Sequence, residues 1–117
     1  MAIDPALGQL DYCYLTTTGR VSGEPREIEI WFGLRDDTVY MLSGGGDRSD
    51  WVRNLMADPA VSVRLGDTTF RGSARVVDDP DEQAAARPLV HGKYASGPDH
   101  MANWRDHGLP VAVDLEA

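Results

Sequence analysis

The chain has 117 residues, of which 42% are hydrophobic and 26% charged, and its formal net charge is -8. This size and balance are typical of one globular domain, predicted here over residues 1–117, and exclude a disordered or fibrous chain. The acidic charge argues against nucleic-acid binding, which depends on Lys and Arg that neutralise phosphates. No apolar run approaches the roughly 20 residues of an integral membrane segment. Since no signal peptide is visible either, a cytoplasmic location is predicted.

Six strands are predicted from the alternation of apolar and polar residues. They cover residues 12–17, 26–34, 39–43, 61–65, 69–77 and 109–115. The pattern is clearest in 26–34, because its apolar residues share one face and its glutamates share the other. Turn sequences at 35–38 and 66–67 predict two hairpins between successive strands.

Three helices are predicted between these strands. The first covers residues 49–57, and the second begins after an N-cap at Asp79, with Glu82 in the position that completes a capping box. Pro88 is expected to kink or end this second helix early. A short third helix is predicted over residues 101–107. Short antiparallel strands with inserted helices predict a mainly β fold of the α+β class, a small β-barrel with helices.

The loop between the first two strands has the composition of a phosphate site. Gly19 and Gly23 permit close approach of backbone N–H groups to a ligand, and Ser22 adds a hydroxyl donor. Arg20 and Arg26 add guanidinium groups suited to phosphate. An ordinary hairpin with exposed arginines explains these residues equally well.

A second glycine-rich loop, residues 43–50, leads into the first predicted helix. Three consecutive glycines are easily understood where a ligand presses against the main chain, and a helix N-terminus favours negative charge. Arg48 and Arg53 lie within reach, and Asn54 follows. The alternative is a flexible loop. Neither loop matches a P-loop or a Rossmann fingerprint.

Other reactive residues give no further site. Cys13 lies in an apolar run and is interpreted as a buried structural thiol. The three histidines, His91, His100 and His107, lack a recognised metal-binding spacing, so no metal site is predicted.

Four motifs follow one another along the chain. They are Leu15-Thr16-Thr17-Thr18-Gly19-Arg20-x-Ser22-Gly23-x-Pro25-Arg26, Trp31-Phe32, Ser43-Gly44-Gly45-Gly46, and Trp51-x-x-Asn54-Leu55-x-x-Asp58-Pro59. In order and spacing they resemble the deazaflavin (F420)-dependent nitroreductase and quinone reductase family, over roughly residues 12–117. The resemblance implies a split β-barrel related to FMN-binding pyridoxamine 5'-phosphate oxidases. It also implies an enzyme that passes a hydride from reduced F420 to a quinone, nitro compound or activated enone.

The resemblance also implies roles for individual residues. The phosphate end of the cofactor would be lined by Arg20, Ser22, Gly23 and Arg26. The deazaflavin ring would pass near Ser43, Gly44 and Gly45. Trp51 and Asn54 would brace the site, and Arg48 and Arg53 are additional candidates for cofactor binding.

The catalytic residues are less defined, because a hydride-carrying cofactor performs the chemistry itself. Ser43 and Tyr94 are the candidate side-chain proton donors to the reduced acceptor, and water is the alternative. Tyr94 and Trp104 match the aromatic residues that shape the acceptor pocket in some family members. A core position is the alternative for Tyr94.

Two positions keep other readings of the sequence open. Family members often carry lysines where this chain has Val21 and Gly44, and those lysines pair with the acidic tail of F420. An FMN-dependent oxidase or reductase on the same fold is therefore one alternative, and a non-enzymatic carrier of a flavin-like ligand is another. Because split barrels often dimerise, a homodimer is also expected, with Glu29, Trp31 and Trp51 at its interface.

Overall fold

The computed structural model describes residues 3–91 and 108–116. In chain order the elements are a 3-10 helix (Pro5–Gln9), β1 (Cys13–Thr18), β2 (Pro25–Ile30), β3 (Gly33–Arg35), β4 (Thr38–Ser43), a 3-10 helix (Gly46–Arg48), α1 (Asp50–Ala57), β5 (Ala60–Leu65), β6 (Thr68–Val76), α2 (Pro80–His91) and β7 (Leu109–Leu115). The predicted helix at 101–107 lies outside the described residues.

The seven strands of the described residues form one antiparallel sheet in the order β2-β1-β5-β6-β7-β4-β3. Its two edge strands, β2 and β3, are joined only by Trp31 and Phe32. Because two residues span only a few ångströms, the sheet must curl until its edges lie side by side. This curled, antiparallel sheet with helices confirms the predicted split-barrel fold.

The break between β2 and β3 corrects the prediction of a single strand over residues 26–34. The chain leaves β1 after Ile30 and pairs with β4 from Gly33 onward. Phe32, at the crossing, is completely buried in the core. A side chain at Gly33 would place its Cβ 2.8 Å from Leu89 of α2, so this crossing needs glycine. The alternation of apolar residues continues through the break, and the sequence pattern therefore hides it.

Two hydrophobic clusters hold the sheet and helices together. The larger fills the inside of the curl and includes Leu15, Met41 and Val63, with Val52 and Leu55 of α1 packed on it. The smaller is formed by Tyr40, Leu42, Val77, Ala86, Val90 and Ala112. These residues place α2 on the outer face of β4 and β7, which explains why β4 is buried on both faces.

The predicted hairpins are confirmed by the strand register. Arg35 pairs with Thr38, and Asp36 between them has a φ of 53°. Leu65 pairs with Thr68 across a turn in which Gly66 has a φ of 61°.

The two described helices agree with prediction in position but differ in detail. Helix α1 begins one residue later than predicted. Helix α2 does not end at Pro88 but continues to His91. Pro88 has no backbone N–H to donate to the carbonyl of Ala84, one helical turn earlier. Both residues are exposed, so water can donate a hydrogen bond to that carbonyl instead. Within residues 3–91 and 108–116, no helix is long and apolar enough to cross a membrane.

Glu82 does not form the predicted capping box. Its carboxylate accepts hydrogen bonds from Arg75 at 2.6 and 2.8 Å and from the Tyr40 hydroxyl at 2.7 Å. Arg75 also donates to Asp114 of β7 at 2.8 Å. The guanidinium holds the pKa of Glu82 down at about 2, and the pKa of Asp114 is lowered for the same reason. The guanidinium of Arg75, on the strand that precedes α2, therefore competes successfully with the backbone N–H of the cap for the Glu82 carboxylate.

Candidate cofactor site

A cavity of about 520 Å³ lies between the β1–β2 loop and helix α1. It is lined by Thr17, Gly19, Arg20, Val21, Ser22, Arg26, Ile28, Asp50, Trp51 and Asn54. Its volume is within the range of small-molecule sites in proteins.

The β1–β2 loop is a tight turn that depends on its two glycines. The backbone N–H of Gly19 donates to the carbonyl of Glu24 at 2.8 Å, and that of Gly23 donates to the carbonyl of Gly19 at 2.8 Å. Gly23 has a φ of 74°, in the left-handed region that favours glycine. A Cβ on Gly19 would lie 2.8 Å from the Ser22 hydroxyl oxygen. Any larger residue at position 19 would therefore push the Ser22 side chain out of place.

Asn54 of α1 joins the helix to this loop. The side chain is buried, and its Oδ1 accepts hydrogen bonds from the backbone N–H of Arg20 at 3.2 Å and from the Arg20 guanidinium at 2.8 Å. Its Nδ2 donates to the Thr17 hydroxyl at 3.3 Å. The whole amide is thus used to hold the loop against α1.

The two arginines of the cavity differ in their partners. The Arg20 guanidinium pairs with the Asp50 carboxylate at 3.1 Å, in addition to its bond to Asn54. In the part of the chain that the structure describes, Arg26 has no carboxylate partner and makes only a long hydrogen bond, 3.4 Å, to the Ser22 hydroxyl. Arg26 therefore keeps most of its donors available for an anion.

Two apolar side chains also line this cavity. They are Trp51 and Ile28, and both are half-buried. Cationic and hydroxyl donors together with a flat aromatic surface suit a ligand that carries both a phosphate and a planar ring.

Five of the residues predicted for the cofactor meet in this cavity: Arg20, Ser22, Arg26, Trp51 and Asn54. Five others, Ser43, Gly44, Gly45, Arg48 and Arg53, do not line it. Gly23 lines a separate groove of about 450 Å³ at the ends of β1 and β5. Tyr94 and Trp104 lie outside the described residues.

The second glycine-rich loop, residues 43–50, is held in a tight turn by hydrogen bonds between its own residues. Ser43 is almost completely buried, donates to the Gly46 carbonyl at 2.8 Å and lies 2.9 Å from the Ser49 hydroxyl. A Cβ on Gly45 would be 2.5 Å from the Ser49 oxygen, and Gly46 has a φ of 59°. The turn itself accounts for two of the three glycines.

Two further lining residues, Gly19 and Val21, belong to the loop that was predicted as a phosphate site. The remaining lining residues were not predicted as site residues: Thr17, Ile28 and Asp50. Thr17 and Asp50 carry a signal in the sequence. Thr17 occupies an inward position of β1, where a hydroxyl replaces the expected apolar residue. Asp50 lies four residues before Asn54, so both share one face of α1.

A family model described as F420H(2)-dependent quinone reductase matches residues 3–116. The chain belongs to the F420H(2)-dependent quinone reductase family. A curated relative, the F420H(2)-dependent quinone reductase Rv1261c of Mycobacterium tuberculosis, is 30% identical over 105 residues, covering 85% of this chain and 69% of that protein.

Solved structures agree with this family. An F420-H2 dependent reductase, FDR-A, superimposes with a TM-score of 0.68 at 26% identity, covering 91% of this chain and 94% of that one. A Listeria innocua structure assigned to the pyridoxamine 5'-phosphate oxidases gives 0.69 at 17% identity, covering 95% and 88%, and shows the fold alone. The F420H(2)-dependent quinone reductase family consists of oxidoreductases, so this chain is an enzyme of that class with F420 as its cofactor.

Proposed function

We propose that this chain reduces quinones, nitro compounds or activated enones with hydride drawn from F420H2. The observation that carries the proposal is the cavity between the β1–β2 loop and α1, in a chain of the F420H(2)-dependent quinone reductase family. It combines an available guanidinium with apolar side chains, the two features that a phosphate-bearing deazaflavin requires.

The residues of the cavity fit the two ends of such a cofactor. Arg26 and Ser22 would bind the phosphate, with the tight turn at Gly19 allowing the main chain to approach it closely. Trp51 and Ile28 would contact the ring system. F420, when bound, supplies the hydride chemistry, and the protein binds, orients and shields it.

Two residues were predicted from the sequence as proton donors to the acceptor, Ser43 and Tyr94. Ser43 holds its hydroxyl proton on the Gly46 carbonyl and is almost completely buried, which makes direct donation difficult. Tyr94 stays a prediction from the sequence. A Tyr94→Phe variant that keeps F420 affinity but loses turnover, beside an unaffected Ser43→Ala variant, would assign the role to Tyr94.

Turnover with defined acceptors tests the proposed reaction. Purified protein is supplied with F420H2 and, separately, with reduced FMN, and oxidation is followed with menadione, a nitroaromatic compound and an enone. We expect acceptor-dependent oxidation of F420H2. Turnover with reduced FMN alone would support the FMN-dependent alternative, and tight F420 binding without any turnover would support the carrier; either result contradicts the proposal.

We also propose that the protein acts as a homodimer. Trp51 and Ile28 line the cavity, and the exposed Glu29 and half-buried Trp31 follow Ile28 closely in the chain. A partner that contacts Glu29, Trp31 and Trp51 would shield the site further from solvent. Sedimentation equilibrium gives the mass directly, and a monomer at micromolar concentration would contradict this part of the proposal.

A further inference from the structure

Among residues 3–91 and 108–116, the charged side chains that line the cofactor cavity are Arg20, Arg26 and Asp50. These two guanidinium groups and one carboxylate sum to a single net positive charge. The carboxylate is unusual in a site for an anion, because it attracts the same guanidinium that the anion would use and repels the anion itself.

Asp50 acts mainly on Arg20. Its Oδ1 lies 3.1 Å from the Arg20 guanidinium, and its backbone carbonyl accepts a longer bond, 3.4 Å, from the same group. Asn54 occupies a further donor of Arg20 at 2.8 Å. Arg20 is therefore largely committed to α1, and Arg26 is left as the cation that an incoming anion meets first.

Asp50 is not required for the fold of the site. Its side chain is 87% exposed, against 30% for Arg20, so water competes with the ion pair. The loop is held to α1 by Asn54 whether or not Asp50 is charged. The carboxylate thus sets the charge of the cavity without shaping it.

We propose that Asp50 makes this cavity select a phosphodiester over a phosphate monoester. The inference rests on the proposed function and sharpens it. The phosphodiester group of F420, considered apart from the acidic tail, carries one negative charge, which the net charge of the described lining residues balances. A phosphate monoester, as in FMN, carries close to two negative charges at neutral pH, and the second would face the Asp50 carboxylate with no further cation among the described lining residues. Asp50 would therefore determine specificity between the two cofactors.

The test compares the Asp50→Asn variant with wild type and with Asp47→Asn, a matched control in the preceding turn that does not line the cavity. Dissociation constants for F420 and FMN are measured by calorimetry at low and high salt. We expect Asp50→Asn to tighten FMN about 2- to 5-fold, the scale of one exposed ion pair, and F420 by less than about 2-fold. The gain should shrink with salt, which a purely structural change would not do.

The outcomes separate this inference from the proposed function. The inference is overturned, while F420 binding stands, if the Asp50→Asn variant binds FMN no more tightly than the wild type. It is also overturned if the variant binds both cofactors more tightly by the same factor. If no form of the protein binds F420, the proposed function fails. Even then, tighter FMN binding in Asp50→Asn but not in Asp47→Asn would support the inference that the Asp50 carboxylate disfavours a phosphate monoester.

Discussion

The Oδ1 atom of Asn54 accepts hydrogen bonds from both the backbone N–H and the guanidinium of Arg20. One side-chain oxygen thus fixes the main chain and the side chain of the same loop residue. Because the amide is buried, removing it takes a hydrogen-bond partner from the buried Thr17 hydroxyl and from the part-buried backbone N–H of Arg20.

The Asn54→Ala variant should therefore lose both stability and cofactor affinity. We expect a loss of about 1–3 kcal/mol in the free energy of unfolding and a loss of about 10-fold or more in F420 affinity. Urea unfolding and F420 titration measure the two effects. Met56→Ala, an exposed change in the same helix, is the control. An Asn54→Ala protein with unchanged affinity would show that the loop does not need this brace.

The Gly19→Ala variant should reduce affinity more than stability. The new Cβ would lie 2.8 Å from the Ser22 oxygen and 3.2 Å from the Glu24 carbonyl, so the turn has to open. Gly33→Ala is the matched control, because its Cβ would meet Leu89 at a similar distance but away from the cavity. We expect weaker F420 binding in Gly19→Ala and only a lower melting temperature in Gly33→Ala. Similar losses of affinity in both would contradict this role of Gly19.

Glu82 should make stability depend on acid pH. Arg75 holds the pKa of Glu82 at about 2 in the folded protein, below its value of about 4.3 in an unfolded chain. The stabilisation is therefore complete above that unfolded value and is lost as pH falls towards 2. Urea unfolding across this range should show a shallower pH dependence for Glu82→Gln than for wild type. The exposed Asp81→Asn change is the control; a Glu82→Gln curve parallel to wild type would refute the prediction.

Tyr40 should make the stability of the fold depend on pH in the alkaline range. Burial and the hydrogen bond to Glu82 raise the pKa of Tyr40, since both favour the neutral phenol. Its contribution is present below about pH 10 and is lost as pH rises through the raised value. Tyr40→Phe should cost about 1–2 kcal/mol at neutral pH, because the hydrogen bond to a carboxylate is removed while the ring stays packed. Ultraviolet titration of wild type against Tyr40→Phe should isolate a phenol that ionises late. Ionisation at the ordinary pH of tyrosine would contradict this assignment.

Much of the sheet follows from local sequence signals. Alternating residues and turn chemistry locate the strands and both hairpins, because these depend on neighbours along the chain. The break after Ile30 does not follow from such local signals. It arises because the chain leaves β1 after Ile30 and pairs with β4 from Gly33 onward, at the opposite edge of the sheet. Glu82 also escapes local rules, because Arg75 lies on another element.

Part of the candidate cofactor site, like part of the sheet, could be predicted from the sequence. Gly19 and Arg26 belong to one continuous loop, and their combination indicates an anion site without knowledge of the fold. The glycines after Ser43 suggested a second part of that site, yet their turn is explained by contacts within the loop itself. The ion pair between Asp50 and Arg20 could not be predicted from the sequence, because it depends on the packing of α1 against the β1–β2 loop.

The binding of F420 to the cavity is tested most directly by titration of three proteins: wild type, Arg26→Ala and Arg71→Ala. Arg71 is an exposed arginine of β6 that does not line the cavity, so it controls for the loss of one positive charge. Fluorescence of F420 should report saturable binding to wild type and Arg71→Ala, with affinity about 10-fold or more weaker in Arg26→Ala. No saturable binding to wild type, or equal losses in the two arginine variants, would contradict the assignment of this cavity.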